Sequence, residues 1–169
     1  MRAMGPPADL VALLEDLGAT LATAESLTGG RVASRVTNVP GSSVVYAGGV
    51  VSYQTPVKVE VLGVAQATVD EHGVVSAECA REMAAGARRL LATTYAVSTT
   101  GVAGPEEQEG KPVGTVYVGV AGPGGVEAVA LELAGDRATI QEATVDHALS
   151  LLADMISTDS RAAEDSGLG

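Results

Sequence analysis

Thr23-Ala24-Glu25-Ser26-Leu27-Thr28-Gly29-Gly30 joins an apolar run to a double glycine, and the architecture of the chain follows from how this segment folds. A short apolar run, Leu21–Ala24, delivers a Glu, a Ser and a Thr to a double glycine, and an amphipathic segment, Arg31–Val36, follows at once. That is the pattern of a strand ending in a tight turn that opens a helix. Ser26 would then stand at a strand's carboxyl end, with the backbone N–H groups of the turn and of the first helical turn aimed at the same space. Such a turn can hold a nucleophile and an oxyanion hole within a few residues. The same residues also fit an ordinary helix cap, with Ser26 or Thr28 as N-cap and the glycines easing the turn.

Working outward, Asp9–Leu17 has Leu10, Val11, Leu13, Leu14 and Leu17 at helical spacing, and Gly18 stops it. A strand is expected over Thr20–Ala24, then the turn and a helix to Val36. Val39-Pro40-Gly41 reads as a turn. Ser43–Tyr53 is rich in β-branched residues and tyrosine and reads as a strand, interrupted by Gly48-Gly49. A short helix with Pro56 in its first turn should carry Lys58 and end near Gly63. Ala67–His72 looks like one more helical turn, and Ala77–Leu91 is the clearest helix. Thr94–Thr100 reads as a strand and Gly101–Pro112 as a long loop. Val113–Ala121 and Val126–Leu133 are strands joined by the hairpin signal Gly122-Pro123-Gly124-Gly125. Ala138–Ile156 is the last expected helix, and Ser157–Gly169 reads as a frayed polar tail. Helices alternating with strands, with one late hairpin, predict an α/β fold: a layered α/β/α sandwich around a mixed sheet. A chain of 169 residues is one domain by size, here 1–169 with a core over about 8–156.

Apolar residues make up 46% of the chain, which has no Trp and no Phe, so the core must be aliphatic. No apolar run is long enough to span a bilayer, and Met1–Asp9 lacks the basic-then-apolar pattern of a signal peptide. The single cysteine, Cys79, cannot form an internal disulfide and reads as a small core residue. A cytoplasmic location is the default expectation. The net charge of −11 argues against nucleic-acid binding. Of the ten basic residues, Lys58 and Lys111 are the two lysines.

In open α/β sheets the site lies outside the carboxyl ends of the strands. Three loops qualify: Glu25–Gly30, Tyr53–Lys58 and Gly101–Lys111, and they hold both lysines. A Ser nucleophile needs a base. His72 precedes Gly73 at an expected helix end and reads as a C-terminal cap, and His147 lies within the last helix and reads as a surface or interface residue, so a Ser-His-Asp triad is not supported. Lys58 is the alternative base. An exposed Lys, with a pKa near ~10.4, would be protonated, but burial can bring it to ~7–8. Tyr53, five residues earlier, could relay or position the proton. No His/Cys cluster or paired Asp motif has metal-ligand spacing, so neither a metal nor a cofactor is expected.

Taken in order, Thr23-Ala-Glu-Ser-Leu-Thr-Gly-Gly30, Tyr53-x-x-x-x-Lys58, Gly101-Val-Ala-Gly-Pro105, Lys111-Pro-Val-Gly-Thr115 and Gly135-Asp-Arg137 closely resemble the C-terminal domain of the competence/damage-inducible protein CinA. That family includes stand-alone nicotinamide-nucleotide amidohydrolases. The resemblance runs from about Leu10 to Met155. It implies hydrolysis of the carboxamide of nicotinamide mononucleotide to nicotinate mononucleotide and ammonia by a Ser–Lys type of mechanism. By motif matching it implies Ser26 as nucleophile, Lys58 as base and Tyr53 as assisting hydroxyl. Leu27 stands where Cys is frequent in the family, and Glu106-Glu-Gln-Glu109 occupies a loop that is often Asp- and Gly-rich. The larger amino-terminal domain of full-length CinA proteins is not expected here, nor is any activity of that domain.

Amide hydrolysis needs a stabilised tetrahedral oxygen, and the N–H groups of Thr28, Gly29 and Gly30 are the expected donors. With such an acidic chain, a phosphate must find a local positive pocket. Lys111, Arg137 and the amides of Gly101–Gly104 are the candidates, with Thr100 and Glu25 also expected at the substrate. Lys111 reads equally as a solvated loop charge, and Arg137 as a partner of Asp136 or a helix carboxylate. Glu25 can orient Lys58 or Ser26, or satisfy turn amides. The expected partner is a small-molecule substrate, with no nucleic acid and no membrane, and the aliphatic helices point weakly to a homo-oligomer. The competing readings are a non-catalytic nucleotide-binding or assembly domain that keeps the fold, and a phosphate-binding transferase built on Gly101–Gly104. The second lacks a Gly-x-x-x-x-Gly-Lys-Ser/Thr pattern.

Overall fold

The strand that carries the opening motif is the middle of the molecule. A computed structural model of the chain describes residues 7–167. α1 (Pro7–Asp16) leads into β1 (Leu21–Glu25), whose five residues are all buried. α2 (Arg31–Thr37), a 3-10 turn at Ser42–Val44 and β2 (Tyr46–Val51) follow, then α3 (Thr55–Glu60), α4 (Gln66–His72) and α5 (Ala77–Leu91). β3 (Tyr95–Gly101), β4 (Thr115–Gly122), β5 (Gly125–Glu132) and α6 (Arg137–Ser166) complete the order.

The strands form one mixed sheet in the order β2-β1-β3-β4-β5. β1 pairs in parallel with β2 and β3, whereas β3–β4 and β4–β5 are antiparallel. β1 must be apolar on both faces because helices cover both. On one side Leu21, Val97, Val118 and Val120 pack with residues of α1, α2 and α6 such as Leu14, Val32, Ile140 and Leu152. On the other, Ala22, Ala24 and Ala96 meet Met83, Ala87 and Cys79 of α5 and Leu62 and Val64 after α3. This is the expected three-layer α/β/α sandwich with an aliphatic core. The connections from β1 to β2 and from β2 to β3 run over opposite faces, so the chain opens a crevice at the carboxyl ends of β1 and its neighbours.

Local chemistry accounts for most boundaries. Ser76 caps α5 by accepting the Cys79 N–H at 3.1 Å, and Asp136 caps α6 by accepting the Thr139 N–H at 2.8 Å. Gly49 sits inside β2 because a Cβ there would lie 2.1 Å from Thr23 Oγ1. It interrupts the sequence pattern but not the strand.

Four expectations need correction. The segment from Ser43 starts as a 3-10 turn and becomes one strand only at Tyr46. The hairpin's first strand starts at Thr115 rather than Val113, since Val113 and Gly114 still belong to the loop that returns to Val102. The segment after Ile156 is not a frayed tail as far as Ser166: α6 continues through it, and Thr158 and Ser160 donate their hydroxyls to the carbonyls of Asp154 and Ile156. Polar residues that read as loop chemistry are satisfied inside the helix. Neither Ser26 nor Thr28 caps α2, whose N-cap is Gly30 with φ 101°. The two ends of the sequence, 1–6 and 168–169, lie outside the described residues, and with them most of the stretch tested for a signal peptide. Among the described residues no helix is long and apolar enough to cross a membrane.

Candidate active site

The turn after β1 is held from below by the strand residue that enters it. Glu25, 1% exposed, accepts the N–H of Val32 at 2.7 Å and of Ala33 at 3.1 Å, and the Thr28 hydroxyl at 2.6 Å. A buried carboxylate thus satisfies the first turn of α2 in place of a serine or threonine cap. Ser26 then leaves the sheet with its own N–H on the Thr99 carbonyl at 2.9 Å. Gln141 of α6, buried, donates to the Leu27 carbonyl at 2.9 Å and fixes the far side of the turn.

Lys58 comes to Ser26 from α3. The residue is almost wholly buried (1% exposed), and its Nζ donates to Ser26 Oγ at 2.9 Å, to the Ser52 carbonyl at 2.6 Å and to the Tyr53 carbonyl at 3.3 Å. Burial lowers the Lys58 pKa, and the weaker pull of Cys79 and Glu109 in the other direction does not cancel it. Two carbonyls and one hydroxyl are the whole coordination of this nitrogen, and among the described residues no carboxylate forms an ion pair with it. Ser52 is in turn fixed on β1, its N–H and hydroxyl both on the Glu25 carbonyl.

Ser26 and Lys58 open into a cavity of about 590 Å³, mouth included, whose wall also contains Leu27, Tyr53, Val75, Thr100 and Gly104. Arg137, at the N-terminus of α6, stands at its rim and donates to the Gly104 carbonyl at 2.6 Å and to the Tyr53 hydroxyl at 2.8 Å. Among the described residues it pairs with neither Asp136 nor a helix carboxylate. The three loops picked out in the sequence therefore do converge.

The structure redistributes some of the expected site residues. Tyr53 lines the cavity, but it is 55% exposed, and its hydroxyl is held by Arg137; what it offers Lys58 is its backbone carbonyl. Glu25 is not a cavity residue, because its oxygens are spent on α2 and Thr28. Thr28 is fully buried with its hydroxyl on Glu25 and Thr99, and the Gly29 N–H turns back to the Ser26 carbonyl, so Gly29 and Gly30 shape the turn rather than line the cavity. Thr100, Gly101 and Gly104 do line it. Lys111 does not. It donates to the Val75 carbonyl and lies 5.8 Å from the centre of the Tyr117 ring. His72 ends α4 and His147 is exposed on α6, both away from the cavity, as the sequence suggested.

Several residues were missed. Ser52 and Thr99 carry no motif signal; they are a strand-end serine and a mid-strand threonine. Glu109, in the loop that departs from the family pattern, accepts the N–H groups of Val74 and Val75 at 3.0 and 3.1 Å, which fixes one cavity wall. Its run of acidic neighbours gave no hint of that. Among the described residues no group of three or more His, Cys, Asp or Glu is placed to hold a metal ion.

A three-layer α/β domain with a Ser–Lys pair at the carboxyl end of its central strand defines a class, and comparison with known proteins gives it a family. Residues 6–156 match the model of the CinA C-terminal domain, and the chain belongs to that family. It is 48% identical over 147 residues to a CinA-like protein of Frankia casuarinae, covering 87% of this chain and 34% of that protein. It is 46% identical over 144 residues to a putative competence-damage inducible protein of Caldanaerobacter subterraneus, covering 85% and 35%. The chain thus spans about a third of the length of the curated relatives it matches. Among solved structures, a CinA superfamily protein from Klebsiella pneumoniae superposes with a TM-score of 0.86 at 30% identity, covering 91% of this chain and 99% of that one. One from Escherichia coli gives 0.83 at 32% identity, covering 85% and 84%.

Proposed function

We propose that the chain is an amidohydrolase that converts the carboxamide of nicotinamide mononucleotide to the carboxylate, releasing ammonia, with Ser26 as nucleophile and Lys58 as general base. The observation that carries this reading is the 2.9 Å contact between Lys58 Nζ and Ser26 Oγ at the floor of a cavity, with burial holding the lysine below its ordinary pKa. In its neutral form Lys58 gives two N–H groups to the carbonyls of Ser52 and Tyr53, which leaves the lone pair for the Ser26 hydroxyl.

Lys58 takes the Ser26 proton as Oγ attacks the amide carbon, and the carbonyl oxygen gains the negative charge. The Leu27 amide, next to the nucleophile on the cavity wall and with no acceptor among the described residues, would serve as a donor to that oxygen. Lys58 then returns the proton to the amide nitrogen, which leaves as ammonia, and an ester to Ser26 remains. Water, deprotonated by the same lysine, attacks the ester and frees the carboxylate and the Ser26 hydroxyl. No metal or cofactor takes part in this scheme.

Arg137 supplies the positive charge for the phosphate. Two of its N–H groups are engaged by Gly104 and Tyr53, which aims the guanidinium at the mouth and leaves further donors for an anion. Lys111, outside the cavity wall and engaged with the Val75 carbonyl, is not assigned the phosphate in this reading. The test is ammonia release from nicotinamide mononucleotide by the purified chain, with nicotinate mononucleotide formed in equal amount. Binding of the mononucleotide without ammonia would instead favour a non-catalytic nucleotide-binding domain.

A further inference from the structure

We propose that Glu25 is a positioning residue for the Ser26 turn, acting through a directed chain of hydroxyls, Thr28 and Thr99, that ends on the Ser26 amide. The proposal rests on the reading of Ser26 as nucleophile.

The direction of the chain follows from what each group can do. A carboxylate offers acceptors only, so the 2.6 Å contact between Thr28 Oγ1 and Glu25 Oε1 uses the Thr28 proton. Thr28 Oγ1 lies 2.8 Å from Thr99 Oγ1, and with its own proton committed it accepts there, so Thr99 donates. Thr99 Oγ1 is then left with its lone pairs toward Ser26, whose N–H lies 3.4 Å away while bonding the Thr99 carbonyl at 2.9 Å. The ring Glu25–Thr28–Thr99–Ser26 closes with every proton assigned, and none of its members is more than 9% exposed.

The same residue reaches the base by its backbone. The Glu25 carbonyl takes both the N–H and the hydroxyl of Ser52, and the Ser52 carbonyl takes Lys58 Nζ. Side chain and carbonyl together tie the nucleophile turn and the base to one point on β1. The links to the nucleophile and to the base are hydrogen bonds, so the action is one of position. Misplacing reacting groups by about 1 Å costs on the order of 100-fold in rate.

Thr28→Val tests this. It keeps the shape and leaves both Glu25 contacts to α2, so the helix cap survives while the chain is cut. Expected is a fall in kcat for ammonia release of about tenfold or more, with KM within about twofold and the midpoint of the pH–rate profile unmoved. Thr28→Ser, which keeps the hydroxyl, should restore most of kcat. Amide hydrogen exchange at Ser26 needs no substrate, and should speed up about tenfold or more in Thr28→Val and return toward wild type in Thr28→Ser. Thr99→Val, where a β-branched residue suits the strand, cuts the same chain and serves if Thr28→Val fails to fold. Unchanged kcat, unchanged exchange or a shifted pH midpoint in a folded variant would each overturn the proposal. If wild type itself releases no ammonia, the amidohydrolase reading fails, and Ser26 exchange alone then decides whether the hydroxyl chain holds the turn.

Discussion

Lys58 Nζ and Ser26 Oγ lie 2.9 Å apart, although 31 residues separate them in the chain, and the lysine's remaining contacts are backbone carbonyls. Ser26 makes no other side-chain hydrogen bond among the described residues. Ser26→Ala should therefore abolish ammonia release from nicotinamide mononucleotide while leaving the melting temperature close to wild type. Turnover at the wild-type rate in that variant would remove Ser26 from the mechanism.

Lys58 should also set the pH dependence of the rate. Ammonia release is expected to rise with pH as Lys58 loses its proton, with a midpoint below the ordinary 10.5 because burial favours the neutral amine. Lys58→Arg keeps a cation that cannot accept a proton in this range, so it should be almost inactive. A kcat/KM profile with no ascending limb in wild type, or a working Lys58→Arg, would leave Lys58 as a charge only.

The same shift has a stability consequence. In the unfolded chain Lys58 holds its proton up to about its ordinary pKa, while the folded protein releases it earlier. Between those values the unfolded state binds more protons, so folding stability rises with pH. The cost of burying Lys58 is greatest below the folded pKa and vanishes above 10.5. Denaturant titrations of wild type and Lys58→Met should show the difference moving in favour of wild type as pH rises through that window. A difference independent of pH would mean that the lysine is not held neutral.

Arg137 and Lys111, both basic and both in motif-matching segments, should behave differently. Arg137→Ala removes charge-assisted hydrogen bonds worth roughly 1.5–3 kcal/mol each. Use of the mononucleotide should fall about tenfold or more, while use of free nicotinamide, with the same amide and no phosphate, should hardly change. Lys111→Ala frees the Val75 carbonyl on the cavity wall, so any loss should fall on both substrates alike. The reverse pattern would put the phosphate beside Lys111.

The packing of α5 gives a prediction independent of function. A Cβ on Gly86 would lie 1.9 Å from the Leu62 carbonyl oxygen, backbone against backbone. Gly86→Ala must push α5 from the segment after α3 that carries Lys58, and should cost about 1–3 kcal/mol in a chemical denaturation experiment despite its better helix propensity.

The order and type of the elements were legible because they are local. Apolar spacing in Ala77–Leu91, alternation and turn residues in the late hairpin, and Pro56 after Thr55 act within a few residues of one another. So was the convergence of three loops, since strand ends in an open α/β sheet share one edge. The segments that carry the family motifs bring Ser26, Lys58 and Arg137 to one cavity. What the sequence left open was where each polar group spends its hydrogen bonds. Glu25 and Lys111 read as site residues, yet burial forces one onto the α2 amides and a neighbouring carbonyl occupies the other. Ser52, Thr99 and Glu109 carry no local pattern, and matter only because the parallel pairing of β1 with β2 and β3, and the return of the long loop to Val74 and Val75, bring them to the turn and the cavity wall. Local pattern was enough for the α/β layering and for the choice of candidate groups. The partners of those groups depend on the folded chain, because a hydrogen bond turns on distances of a few tenths of an ångström between atoms brought together from far apart in sequence.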